Sequence, residues 1–195
     1  MEIGLGAFIR FANATPKARP RIARQIADQV TSEYAPATDF WRPVRQAIVR
    51  DRKTTRDGTA LHQVVQAAPT VRRPSFEAIR DRWSDVAARW NGASHIPSGS
   101  KRIDLGEVLI RTHPLVAEQW SDGHREAAYF WFNKEELADD TMRLVQHLIA
   151  REEDGAVAPV FVDMRRGIVA PAEPDALDLD ARLEELGHEY RRLTD

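Results

Sequence analysis

At 195 residues and 43% hydrophobic content, the chain is long enough to bury a sizeable core, which excludes a wholly disordered protein. The absence of cysteine excludes disulfides, thiolate zinc sites, iron–sulfur clusters and cysteine catalysis. The net charge of −2 conceals a division: residues 1–102 carry 18 Lys+Arg against 9 Asp+Glu, and residues 103–195 carry 10 against 21.

Met1 to Ala12 is mildly apolar, with two early glycines, and is too short to assign. Thr15-Pro16 reads as a helix start, moved one turn on if Pro20 occupies the first helical position. Ile22, Ile26 and Val30 recur every fourth residue and form its apolar line, with Arg19, Arg21 and Arg24 off that line and facing water. Pro36 stops this helix. A second begins near Thr38-Asp39, with Phe40, Val44 and Ile48 as its apolar row. Its remaining faces carry Arg42, Arg45, Arg50, Arg52 and Lys53. Arg56-Asp57-Gly58 is a turn, and Thr59 caps a short third helix bearing Leu61, Val64, Val65 and Ala68. From Ser75 to Asn91 the steps of Phe76, Ile79, Trp83, Val86 and Trp90 make one continuous seam. Gly92 ends it.

The composition then shifts to Gly, Ser and Pro before the pattern turns from helical to alternating. Ile103, Leu105, Val108 and Ile110 suggest a strand with an irregularity at Gly106. Leu115 to Trp120 and His124 to Asn133 flank Ser121-Asp122-Gly123, a hairpin turn. The run Tyr129-Phe130-Trp131-Phe132 puts two aromatics on each face, as in a central strand covered on both sides. Asn133 and Glu136 resemble a reciprocal helix cap, leading into Leu137, Leu144, Val145, Leu148 and Ile149. Asp154-Gly155 closes that helix. Val157 to Met164, Arg165-Arg166-Gly167 and Ile168 to Ala170 form a second hairpin, ended by Pro171 and Pro174. A last helix, about Asp178 to Leu193, shows Leu183, Leu186, Tyr190 and Leu193 on one side.

This order predicts an α+β protein: an N-terminal helical layer, then an antiparallel or mixed sheet of two hairpins with helices packed on it. The boundaries are a basic helical region at 1–93, a linker at 94–102 and an acidic α+β region at 103–195. The opposite charges of the two regions predict mutual attraction that salt loosens. No run approaches about 18 apolar residues and no signal-like leader opens the chain. The expectation is therefore a soluble cytoplasmic protein without membrane contact.

Chemistry is thinly signalled. Pro97-Ser98-Gly99-Ser100-Lys101 lacks the glycine spacing and the Lys-Ser/Thr order of a phosphate loop, and no serine-nucleophile elbow is present. The six histidines form no close pair. His124 and Glu126 share one strand face, and with His113, Asp104 and Glu107 a carboxylate–histidine metal site can be drawn. Arg165 and Arg166 on a tight turn suit a carboxylate or phosphate, unless they pair with acids nearby such as Glu173, Asp175 or Asp178. The front half's arginines, interleaved with aromatics, suit nucleic-acid backbone. The expected function is a non-enzymatic binding or interaction module without a cofactor, meeting a protein partner or a second copy. One alternative is a nucleic-acid-associated protein using Arg42, Arg45, Arg50 and Arg52. The other is a metal-dependent hydrolase or nuclease around Asp104, Glu107, His113, His124 and Glu126.

Overall fold

A computed structural model describes residues 1–31, 39–151, 157–171 and 177–195. The elements expected at Pro36, Thr38, Asp154-Gly155 and Pro174 lie outside the described residues. In chain order the elements are β1 (Glu2–Gly4), α1 (Leu5–Ala12), α2 (Arg19–Thr31), α3 (Arg42–Lys53), α4 (Thr59–Ala67) and α5 (Arg73–Ala87). A 3-10 turn at Ala88–Trp90 extends α5, followed by β2 (Ser94–His95), β3 (Lys101–Asp104), β4 (Leu109–Thr112), β5 (Val116–Gln119) and β6 (Arg125–Trp131). Then come α6 (Asp139–Ala150), β7 (Ala158–Asp163), β8 (Ile168–Pro171) and α7 (Leu177–Thr194).

The strands make two mixed sheets, so the expected α+β class holds while the expected sheet divides in two. A three-stranded sheet has the order β1-β4-β3, with β1 parallel to β4. A five-stranded sheet has the order β2-β5-β6-β7-β8, with only β6 and β7 parallel. The Met1–Ala12 segment supplies an edge strand and a helix whose Phe8, Ile9 and Phe11 are fully buried. Gly106 marks a hairpin turn between β3 and β4 and not an irregular strand. Its φ is +82°, and its amide donates to the Asp104 carboxylate at 2.8 Å.

Periodicity placed the α5 seam correctly, and Phe76, Ile79, Trp83, Val86 and Trp90 are all buried. The α2 line holds in part: Ile26 is buried and Ile22 packs on the same core with Ala23 beside them, while Val30 is 48% exposed. Arg19 is buried rather than solvated, its guanidinium donating to Glu189 of α7 at 2.6 Å. Phe40 precedes α3, and Gly58, with φ +77°, stands at the α4 start where Thr59 was expected to cap.

The expected cap at Asn133 is also overruled. Helix α6 begins at Asp139, because remote side chains hold the preceding backbone in place. Asn13 donates to the Glu136 carbonyl and accepts from the Ala138 amide, both at 3.0 Å. Trp131 Nε1 donates to the Glu135 carbonyl at 3.0 Å, and Arg166 donates to that of Lys134 at 2.8 Å.

Strand β6 is central, as its aromatics required. Tyr129 and Trp131 face α6 with Val145 and Ile149, while the other face packs Phe130 and Phe132 beneath α3, α4 and α5. The core under those three helices joins Ile48, Trp83 and Trp90 to Val116, Ala128 and Val160. A separate core packs α1, α2, α6 and α7 on the three-stranded sheet. Among the described residues no helix is long and apolar enough to cross a membrane.

Candidate functional site

The residues drawn as a metal site are spread over both sheets. Asp104 and Glu107 sit on the β3–β4 hairpin, with Glu107 3.4 Å from His188 of α7. His113 follows β4, its Nδ1 3.2 Å from the Ser100 hydroxyl. His124 and Glu126 do come together, with Nε2 to Oε1 at 3.5 Å. The Glu126 carboxylate, however, already accepts from Arg89 Nε at 2.8 Å, Arg89 Nη2 at 2.7 Å and Trp90 Nε1 at 2.9 Å. Among the described residues no three such side chains gather around a point where a metal could be held.

Beneath the helices lies a set of buried ion pairs that spacing did not foretell. Glu118 and Glu126 are direct partners across β5 and β6. Glu118 is fully buried and accepts from Arg52 Nε at 2.9 Å and Nη2 at 3.0 Å, a two-pronged grip. The same guanidinium donates to the Trp90 carbonyl at 3.1 Å. Asp51, 1% exposed, accepts from Trp83 Nε1 and from the Gly58 amide, both at 2.7 Å. His95 Nδ1 stands 3.5 Å from Glu118; burial lowers the imidazole's pKa, with Glu118 opposing. These carboxylates spend their acceptor capacity on α3, α5 and the α4 start, and so clamp the helices to the sheet. The signal that could have found them was charge inside apolar strands, at Glu118 and Glu126.

Helix α3 therefore uses its arginines in two ways. Arg52 is buried with Glu118, and Arg45 pairs with Asp39, so neither is the open contact expected of it. Arg42, Gln46, Arg50 and Lys53 are exposed at steps of four, four and three, which aligns them on one face over about 16 Å. Arg42, Arg50 and Lys53 have no ion-pair partner among the described residues. The only acid within α3 is Asp51, which is buried. Arg165 and Arg166 are likewise committed: Arg165 donates to the Phe132 carbonyl at 3.0 Å and lies 5.3 Å above Trp41. Arg166 binds Asp163 of its own turn at 2.8 Å. Glu173 and Asp175, proposed as their partners, lie outside the described residues.

A cavity lies at each end of α3. Toward its C-terminal end, a cleft of about 390 Å³ is lined by Arg52, Arg56, His62, Arg80 and Trp83, together with Asp57 and Asp81. Its charges largely answer one another: Arg80 binds Asp81 at 2.6 Å, and hydrogen bonds from Thr55 and Thr59 lower the Asp57 pKa. Toward the N-terminal end, a notch of about 300 Å³ is lined by Gly4, Gly6, Arg45, Arg111, His113 and Phe130, among others. All its charged lining residues are basic. It opens where β1 and β4, a parallel pair, reach their carboxyl ends, the usual position for ligand crevices in sheets with parallel strands.

No family model and no curated protein matches the chain. Six solved chains do. One, titled "Crystal structure of SSO0001", is 14% identical, with 88% of this chain and 84% of that chain covered and a TM-score of 0.36. A likeness this distant carries no argument about activity.

Proposed function

We propose that the protein is a non-enzymatic binding module for an extended polyanion, the backbone of a nucleic acid, which lies along α3. The observation that carries this reading is the exposed row of Arg42, Gln46, Arg50 and Lys53, three cations without acid partners among the described residues. Cations spaced along about 16 Å suit successive phosphates, and each phosphate neutralised releases condensed counterions. The clamped carboxylates favour a binding role over metal-assisted hydrolysis, because Glu118 and Glu126 are occupied by arginines. A cytoplasmic location belongs with the same reading.

Fluorescence anisotropy of a labelled oligonucleotide, repeated between about 50 and 200 mM salt, tests it. Affinity should fall steeply with salt. Replacing Arg42, Arg50 and Lys53 together by Gln should flatten the log–log slope by about 2–3, one phosphate contact per side chain. No binding at the lowest salt, or an unchanged slope in the triple variant, overturns the reading.

A further inference from the structure

We infer that the notch at the N-terminal end of α3 is a subsite for one unpaired nucleotide, its phosphate against Arg111 and His113 and its base over Phe130. This rests on the polyanion reading above and narrows it to single strands.

Three features of the notch meet at one ligand chemistry. The first is sign. Arg45 has Asp39 as a partner and Arg111 has Glu2 at 3.8 Å, but Glu2 is engaged more closely by Arg102 at 2.6 Å. Arg111 is 61% exposed, and His113 is exposed as well, so both are at hand for a phosphate. The second is backbone access. Gly4 and Gly6 open α1, where a Cβ on either residue would meet no atom within 4 Å. The first turn of α1 holds no acid and no side-chain cap, so its amide groups remain available to the same anion.

The third is the aromatic wall. Phe130 is half-buried and lies nearly parallel to Phe132, with ring centres 6.0 Å apart and planes at 16°. Phe132 stacks in turn on Trp41 at 5.4 Å and 24°. Phe132 and Tyr129 line the notch too, and Trp83 and Trp90 hold the Phe130 ring at 6.4 and 6.3 Å. Stacking on such a ring needs the π-face of a base, which a duplex hides and a single strand presents. The volume of about 300 Å³ sits at the small end of ligand pockets, consistent with one nucleotide and not a longer segment. Arg42, three residues from Arg45 on the same helix, continues the path onto the row of cations, so a strand anchored in the notch runs on along α3.

Calorimetric titration of the full chain with thymidine 5′-monophosphate, thymidine and inorganic phosphate tests the subsite. The nucleotide should bind at least about tenfold more tightly than either part alone, since it gains both stacking and charge contacts. Gly6→Glu places a carboxylate in the notch while favouring the helix start, so the fold is kept. It should weaken nucleotide binding about tenfold or more. With labelled oligonucleotides, Gly6→Glu should weaken a thymidine 12-mer and leave a duplex within about twofold, while the α3 triple variant weakens both. Equal binding of nucleotide and phosphate, or a Gly6→Glu variant that binds like the parent, overturns the subsite. Neither result touches the polyanion reading, which fails if no oligonucleotide binds at the lowest salt or if the α3 triple variant keeps its salt slope.

Discussion

Glu118 and Glu126 face each other across β5 and β6, and each is held by its own arginine from the helical half of the chain. Like charges placed opposite one another on neighbouring strands repel, so such a pair persists only when both are neutralised. Arg52 answers Glu118 from α3, and Arg89 answers Glu126 from the turn after α5. The two-pronged geometry also fixes angle as well as distance, which sets how the helical layer sits on the sheet. Function then follows from what is left over. With Arg45 and Arg52 committed, the exposed face of α3 presents Arg42, Arg50 and Lys53 to the outside.

Removing one partner of the innermost pair should be costly. Arg52 and Glu118 are 2% and 0% exposed in their side chains, so Arg52→Ala strips a buried carboxylate of both its arginine hydrogen bonds and leaves Arg56, 3.8 Å away, as the nearest guanidinium. A loss of about 3–5 kcal/mol in urea unfolding is expected. Replacing both, as Arg52→Met with Glu118→Leu, removes the poorly compensated buried charge and should recover most of the loss. A single variant as stable as the parent would mean that water reaches Glu118 and the clamp does not hold.

His95 adds a pH dependence whose sign can be worked out. Burial is the larger influence and lowers its pKa below the ordinary 6.5, against the pull of Glu118 3.5 Å away. The unfolded chain then binds the proton more readily than the folded one. The stability His95 confers is fully present above about 6.5 and is lost as pH falls from there through the lower folded value. The urea midpoint should decline between about pH 7.5 and pH 5.5, and His95→Gln should flatten that decline. An identical slope in the variant would assign the acid sensitivity to other groups.

Much of this architecture was legible in the sequence, for physical reasons. The α5 seam, both hairpin turns at Gly123 and Gly167, and the doubly covered strand β6 are local patterns, set by period and by positive φ. What escaped depended on partners far along the chain. The Asn133 cap lost to hydrogen bonds from Asn13, more than a hundred residues away. The role of Arg52 was hidden because nothing near it in sequence announces Glu118, 66 positions on. For the site, Arg42, Arg45, Arg50 and Arg52 were named together from composition. Burial withdraws Arg52 and an ion pair with Asp39 engages Arg45, which leaves Arg42 and Arg50 exposed together with Lys53. The notch was not foreseen at all, since it gathers Gly6, Arg45, Arg111 and Phe130 from four separate elements.

Gly187 offers a test of close packing. It lies within α7, where glycine ordinarily costs about 1 kcal/mol relative to alanine. A Cβ there would stand 3.0 Å from the Leu105 carbonyl oxygen and 3.2 Å from the Leu105 Cβ. Backbone and a buried leucine cannot yield as the end of a long side chain would, so the helix must lift from the β3–β4 hairpin. Gly187→Ala should therefore destabilise by about 1–2 kcal/mol in spite of its better helix propensity. A gain in thermal stability would show that the hairpin shifts freely.

Salt provides the remaining prediction, and it divides fold from binding. A charge balance that reverses between the two halves suggests that salt loosens their contact. The pairs that join the halves, however, are withdrawn from solvent: Arg52–Glu118 is buried, and one partner of Arg89–Glu126 and of Arg19–Glu189 is 7% and 9% exposed respectively. Screening acts mainly on charges in water, with a reach of about 10 Å at 0.1 M and 3 Å at 1 M. The more exposed pairs, such as Arg80–Asp81, contribute about 0–1 kcal/mol each. Raising sodium chloride from about 0.05 to 1 M should thus move the melting temperature by no more than about 2–4 °C. Over the same range, binding to an oligonucleotide should fall by orders of magnitude. A melting temperature that drops by about ten degrees would show that exposed charge, and not the buried pairs and their surrounding core, holds the halves together.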